Sequence, residues 1–302
     1  MINFGLIFLC IAVGLILKTY GLIPKDAYKG INTWIIYMAI PAVALKYLPA
    51  IHWTSDLLLP ALMPVVVWCG AWILFKVYSF KWKIDPATRA ALTLTAGLGN
   101  TSFIGFPLVQ AYYGVGAISI AVISDQLTFV LMSTLGVITA MNAAGSEKLN
   151  TGKVLTRLFS FPPFLAFVTA LILPRFIDIS PINPLLDKIA VTLVPLALFS
   201  VGLQLNFTGW QSEIKLLAIG LGYKLLAAPA VIFALAFILH LKGLIPQISI
   251  FEASMAPMIT ASVIATEFEL NPQLANLMVG IGILFAFVTS AGWWFCGLVF
   301  GG

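Results

Sequence analysis

Two short stretches hold most of the groups in this chain that could do chemistry. The first reads Gly97-Leu98-Gly99-Asn100-Thr101-Ser102-Phe103-Ile104-Gly105-Phe106-Pro107, and the second Glu252-Ala253-Ser254-Met255-Ala256-Pro257-Met258-Ile259-Thr260-Ala261-Ser262. Asn100, Thr101 and Ser102 carry short polar side chains that can cap a helix end. A helix N-terminus capped in this way carries about half a positive charge and free N–H groups, which suits a carboxylate. Ser254, Thr260 and Ser262 supply hydroxyls in the second stretch, and Glu252 a carboxylate. Two more ionisable groups, Asp125 and Lys224, stand alone in apolar sequence. Such a set can hold a small anion and exchange a proton or a cation. It contains no nucleophile–base pair, phosphate loop, hydrolase serine motif or zinc signature, so the chain reads as no enzyme and as needing no cofactor or structural metal.

Composition sets the elements that must position these groups. Of 302 residues, 61% are hydrophobic and 9% charged, against roughly 25% charged in a soluble domain. A membrane-spanning helix needs about 20 apolar residues. Ten runs of about that length lie at 2–19, 31–49, 57–79, 87–112, 115–141, 159–174, 184–205, 213–240, 246–267 and 273–299. They leave no room for a soluble domain, and the longest polar stretch, Asn142 to Arg157, reads as a loop. No positive charge precedes Lys18 and no small-residue cleavage site is present, so the first run reads as a spanning helix rather than a signal peptide. Cys10, Cys69 and Cys296 lie in apolar runs without metal-ligand spacing and read as packing residues.

The net charge of +5 follows loop placement rather than an affinity for nucleic acid. With the N-terminus outside, eleven Lys and Arg side chains from Lys18 to Lys215 (Lys25, Lys148, Lys153 and Arg157 among them) fall on the cytoplasmic side. Four, Lys46, Arg175, Lys188 and Lys242, fall near the outer side. This positive-inside bias places both termini of a ten-span chain outside. Lys46 is expected to snorkel to the outer surface or to line an outward-facing vestibule. His52 and His240 fall near loop ends. Trp34, Trp53, Trp82, Trp210, Trp293 and Trp294 mark helix ends, as interfacial aromatics do.

The chain also resembles itself. Leu127 to Gly136 resembles Ile283 to Gly292, and Pro41 to Leu45 resembles Pro195 to Phe199, at separations of 156 and 154 residues. The two interrupted runs are the fourth and the ninth. A five-helix unit is odd-numbered, so its copy enters from the opposite face. Residues 1–145 and 146–302 therefore read as two inverted repeats. Pro41 and Pro195 are expected to bend the second and seventh helices.

Lipid offers no partner to a freed backbone group, so the interruptions must be satisfied by protein or by a wet cavity. Gly97, Gly99 and Gly105 allow unusual backbone shapes and close approaches, while Pro107 and Pro257 withhold an N–H. Paired broken helices in matching places of two halves point to a transport site. Glu252 lies about one and a half turns before Pro257 and must face a cavity, pair, or be protonated. Asp125 and Lys224 fall roughly 15 Å into the fifth and eighth runs, where ionisable groups are functional candidates. They could pair with one another, or Lys224 with Glu252. The same pair could instead be a structural lock on one helix contact.

The stretch Asn100-Thr-Ser-Phe-Ile-Gly-Phe-Pro-Leu-Val-Gln-Ala-Tyr-Tyr-Gly114 carries the pattern Asn-Thr, then Gly-x-Pro-Leu, then Ala-x-Tyr-Gly. In this it resembles the auxin efflux carrier family, whose members include the plant PIN-formed auxin exporters and bacterial malonate and malate permeases. Leu198-Phe-Ser-Val-Gly-Leu-Gln-Leu205 and the segment from Glu252 to Glu267 extend the likeness. The resemblance implies an all-α membrane protein of ten transmembrane helices in two inverted five-helix repeats. The broken helices 4 and 9 would cross, as in sodium/proton antiporters and bile-acid symporters. It also implies carboxylate transport by alternating access between a scaffold and a mobile panel. Asn100 matches the crossover asparagine that helps hold the substrate carboxylate. Glu252 stands where plant members often carry glutamine, a departure that separates this chain from auxin itself and suits a proton or a cation. The long cytoplasmic loop of many plant exporters is absent.

These readings converge on a secondary active transporter that exports a small mono- or dicarboxylate. Asn100, Thr101, Ser102, Thr260 and Lys224 are assigned to the substrate, and Gly99, Gly105, Pro107 and Pro257 to the crossover. Asp125 and Glu252 are assigned to coupling, by a proton or a sodium ion. The alternative is a sodium-coupled organic-anion symporter with Glu252 as a sodium ligand. A membrane receptor or sensor is the reading from another class, and it would need a signalling domain or partner. The expected partners are the carboxylate, the lipid bilayer and, as one option, a second copy in a homodimer.

Overall fold

A computed structural model describes residues 2–24, 26–50, 54–145, 161–205 and 210–301. Among them the structure is helical, with no β-strand. The helices follow the apolar runs. Ser55–Trp82, Val115–Ala143, Ser180–Gln204, Trp210–Ile238 and Pro272–Phe300 are long and apolar enough to cross a membrane. Gly5–Thr19, Pro162–Arg175 and Leu244–Ala253 are shorter apolar helices. Large apolar side chains such as Phe80, Phe237, Val288 and Phe295 face outward, an arrangement suited to a lipid surface rather than to water. Lys25, His52, Trp53, Lys148, Lys153, Arg157 and most of the expected loop after Asn142 lie outside the described residues.

The prolines shape the helices they sit in. Turns wound wider than an α-helix, at Ile35–Ala39, Thr101–Gly105 and Tyr223–Ala227, end two residues before Pro41, Pro107 and Pro229. Proline lacks an N–H and crowds the carbonyl of the turn before it, which costs about 3 kcal/mol in a regular helix. Widening that turn to i→i+5 bonding re-registers the ladder and relieves the clash. At Pro195 the same problem is met differently. The helix Asn183–Ala190 ends, Val191 and Thr192 form a turn, and the helix Leu193–Gln204 restarts with Pro195 as its third residue. A similar wide turn at Met132–Gly136 has no proline after it.

The chain forms two compact units, neither contiguous in sequence. One comprises Met1–Trp53, Ser102–Val122 and Thr156–Leu205, the other Thr54–Thr101, Ile123–Leu155 and Asn206–Gly302. In the first unit the helix Ile2–Thr19 runs against Leu193–Gln204. The two backbones touch at a pair of glycines: a Cβ on Gly14 would stand 2.5 Å from the Phe199 carbonyl oxygen, and one on Gly202 would strike the Ile11 carbonyl. Lys18 donates to the Leu205 carbonyl at the end of the partner helix, where a cation complements the helix dipole. Lys46 forms an ion pair with Asp187.

In the second unit, Leu59, Met63 and Val67 of Leu58–Trp82 pack with Ala228, Ile232, Ile250 and Phe300. Two helix starts are built alike. Asp85 precedes Pro86 and accepts the Thr88 N–H at 2.8 Å; Asn271 precedes Pro272 and accepts the Leu274 N–H at 3.1 Å. Side-chain caps of this kind satisfy an N–H that has no acceptor within the helix. The Asn271 amide also donates to the Thr88 hydroxyl at 3.2 Å, tying the two starts together. The Trp293 indole N–H donates at 2.8 Å to the Leu225 carbonyl inside the wide turn before Pro229.

Candidate functional site

The helix Pro86–Gly97 stops where the glycines begin. Leu98 is extended (φ −114°, ψ 121°), and helical structure resumes at Thr101–Gly105 and runs on through Phe106–Tyr113. The helix Leu244–Ala253 likewise stops and resumes as Ile259–Glu267. The two gaps pair with each other. Gly99 and Pro257 form an antiparallel bridge, the Asn100 N–H donates to the Ala256 carbonyl at 2.8 Å, and the Met258 N–H donates to the Leu98 carbonyl at 2.9 Å. Backbone groups released by both breaks thus satisfy one another, as a site remote from water requires.

The glycines act here through closeness, not through left-handed backbone. None of Gly97, Gly99 and Gly105 has a positive φ. A Cβ on Gly99 would stand 3.2 Å from the Lys224 ammonium nitrogen, and one on Gly97 2.8 Å from the Trp68 ring. On the other broken helix, Pro257 is met by Gly282, where a Cβ would come within 2.5 Å of the proline Cδ. Gly105 and Pro107 lie past the gap, in the resumed helix, with Gly105 in ordinary helical geometry. Ser102 is buried and, with them, belongs to the other compact unit. Thr260 is half-buried in the first turn of Ile259–Glu267.

Beside the paired gaps sit the ionisable groups, all in one compact unit. Asp125, buried on the helix Ile118–Leu131, accepts the Thr101 hydroxyl at 2.7 Å and the Gln126 amide at 3.3 Å. Lys224, 1% exposed, donates to the carbonyl of Ala253 at 2.8 Å. Ala253 is the last residue of its half-helix, so the ammonium meets the negative end of a helix dipole. A hydrogen bond from a charged donor is worth about 1.5–3 kcal/mol. Glu252, the preceding residue, is fully buried, and neither of its carboxylate oxygens has a hydrogen-bond partner among the described residues. The charges of Asp125 and Lys224 both act on it. Lys224 therefore bonds to a carbonyl next to Glu252 rather than to the carboxylate itself. A buried carboxylate without donors is costly while ionised; it is relieved by a proton, a cation or a donor from outside the chain.

Other expected groups have local partners. Ser254 donates to the Phe251 carbonyl at 2.7 Å and Ser262 to the Ile259 carbonyl at 2.9 Å. Sequence reading placed Thr101 with the substrate and Asp125 with coupling; the structure joins them by a hydrogen bond. A signal for this was present. Thr101 lies thirteen residues before Gly114 and Asp125 eleven after it, so a helical hairpin turning there brings them to similar depth. Gln126, and the lysine-to-carbonyl bond of Lys224, carried no such signal.

The sequence model of a family described as membrane transport protein matches residues 4–294 of the chain. An uncharacterized transporter of Methanothermobacter thermautotrophicus is 23% identical over 286 residues, covering 94% of this chain and 93% of the relative. An uncharacterized transporter of Methanocaldococcus jannaschii is 24% identical over 298 residues, covering 95% and 96%. Auxin efflux carrier component 8 of Arabidopsis thaliana is 30% identical over 105 residues, covering 33% of this chain and 28% of its own length. These relatives are transporters, not enzymes.

Proposed function

The chain belongs to the membrane transport protein family, of the auxin efflux carrier type, and on that premise we propose that it exports a small mono- or dicarboxylate by secondary active transport with alternating access. In this reading ten transmembrane helices form two inverted repeats, residues 1–145 and 146–302, in a bacterial inner membrane with both termini outside. The fourth and ninth helices cross at their gaps.

The observation that carries the reading is the pairing of Leu98 and Asn100 with Met258 and Ala256 amid buried ionisable side chains. A helix that merely spans a bilayer has no use for such a gap, whereas paired gaps at the membrane centre recur in carriers. The Asn100 side chain, Thr101, Thr260 and Lys224 are the proposed carboxylate contacts. Asp125 and Glu252 are the proposed coupling pair, with Glu252 exchanging a proton because it has no donor among the described residues.

The test is Asn100→Ala in proteoliposomes loaded with a panel of carboxylates. Loss of one strong hydrogen bond to a charged substrate predicts roughly a tenfold or greater fall in flux, with the thermal midpoint unchanged. Undiminished flux would remove Asn100 from the site. The same orphaned carboxylate supports a second reading, sodium-coupled symport with Glu252 as an oxygen ligand. Replacing external sodium by choline separates the two, since flux that is indifferent to sodium leaves only the proton or no coupling ion.

A further inference from the structure

Away from the paired gaps, a cavity of about 200 Å³ opens where three helices of one compact unit meet. Leu58–Trp82 contributes Trp72 and Lys76, Pro86–Gly97 contributes Arg89 and Thr93, and Val137–Ala143 contributes Thr139 and Asn142. Lys76 and Arg89 are both exposed. Among the described residues no carboxylate forms an ion pair with either. Asp85, one turn before Arg89, directs its Oδ1 to the Thr88 N–H instead. The Lys76 ammonium lies 4.6 Å from the centre of the Trp72 ring. Two cations from separate helices, without an ion-pair partner among the described residues, thus flank a recess lined by hydroxyl and amide groups.

The surface beside the recess says where it sits. Ile73, Val77 and Phe80 on the same helix are exposed and apolar, a surface for lipid. One turn further, Tyr78 and Trp82 stack with ring centres 4.4 Å apart, the kind of aromatic pair found at headgroup level. A basic recess between spanning helices at that level is a place for an anionic headgroup. Arginine offers a planar fork to two phosphate oxygens and lysine a point charge to a third. The Asn142 amide can donate as well. The Thr93 hydroxyl already donates to the Arg89 carbonyl at 2.9 Å, so it offers a lone pair to a headgroup hydroxyl.

We propose that the Lys76–Arg89 recess binds a phosphate group, delivered by the headgroup of an anionic phospholipid in the leaflet on that side. The test measures thermal stabilisation of the full-length protein in detergent by phosphatidylglycerol, phosphatidylcholine and inorganic phosphate. Phosphatidylglycerol should act at about tenfold lower concentration than phosphatidylcholine, and inorganic phosphate should not match it. The preference should vanish in Lys76→Gln/Arg89→Gln and persist in Lys81→Gln/Lys83→Gln, whose charges lie outside the recess. Equal action of the two lipids, or a preference that survives Lys76→Gln/Arg89→Gln, would overturn the proposal. A shift by inorganic phosphate equal to that by phosphatidylglycerol would overturn the lipid as its source. Should the double variant not fold, native mass spectrometry of the wild-type protein from mixed micelles decides: enrichment of bound phosphatidylglycerol supports the site, and its absence refutes it.

Discussion

The Thr101 hydroxyl donates to Oδ1 of Asp125 at 2.7 Å. One residue opens the resumed half of a broken helix and the other lies on the helix that follows, so the gap and a buried carboxylate act as one unit. Deleting a donor to a buried charged acceptor costs about 1–3 kcal/mol. Thr101→Val, which keeps the shape, should lower both the thermal midpoint and carboxylate flux, and Thr101→Ser should restore both. Wild-type behaviour of Thr101→Val in both measurements would show that the bond contributes nothing.

Lys224 and Glu252 should be coupled without being bonded. Lys224→Met leaves the Ala253 carbonyl bare and removes the nearby cation from Glu252, a loss of about 1.5–3 kcal/mol. Glu252→Gln in that background removes the uncompensated charge. The double variant should therefore be more stable than the sum of the single losses, by about 0.5–3 kcal/mol. Additive melting shifts across the four proteins would sever the electrostatic link.

Gly282 and Gly292 lie on the same helix, Pro272–Gly297, and should respond oppositely to a methyl group. At Gly282 the new Cβ meets the Pro257 ring at 2.5 Å, while at Gly292 no neighbouring group among the described residues stands within 4 Å. Gly282→Ala should cost about 1–3 kcal/mol through overpacking. Gly292→Ala should be neutral or stabilising, because alanine favours the helix by roughly 0.8–1 kcal/mol over glycine. Equal melting points for the two variants would contradict the close approach at Pro257.

Asp85 should give a pH-dependent helix start. Partial burial alone would raise its pKa, but hydrogen bonds from the Thr88 N–H and hydroxyl outweigh this and hold the carboxyl below its ordinary 3.8. A depressed folded value means the cap contributes fully above the ordinary carboxylate range and fades as pH falls through the folded value. Asp85→Ala should cost about 1 kcal/mol at neutral pH, measured by chemical denaturation, and the gap to wild type should narrow below pH 4. A gap that is constant down to pH 2 would show that the charged form is not what caps the helix.

The apolar runs were legible because lipid and core make the same demand, long stretches without charge, and each helix falls within a few residues of its run. Proline was legible as a disturbance, since its missing N–H acts wherever it stands; Pro41 and Pro195 both disturb their helices, though one widens a turn and the other ends a helix. The gaps were legible too, and so was the close approach their glycines allow. What approaches was not: the Trp68 ring at Gly97 and the Lys224 ammonium at Gly99 are invisible until those neighbours are placed.

By itself the sequence determined the helices, the two gaps and the identities of the buried charged groups, because these follow from local backbone chemistry and from the cost of charge in an apolar run. Only the tertiary structure decided that the gaps bond to each other, that Lys224 serves the Ala253 carbonyl, and that Glu252 has no donor among the described residues. It also decided that Lys76 and Arg89 share one recess. Each of these is a contact between segments far apart in the chain. A side chain's partner there depends on which helix packs beside it, and that is settled by the shape of whole faces rather than by any one residue.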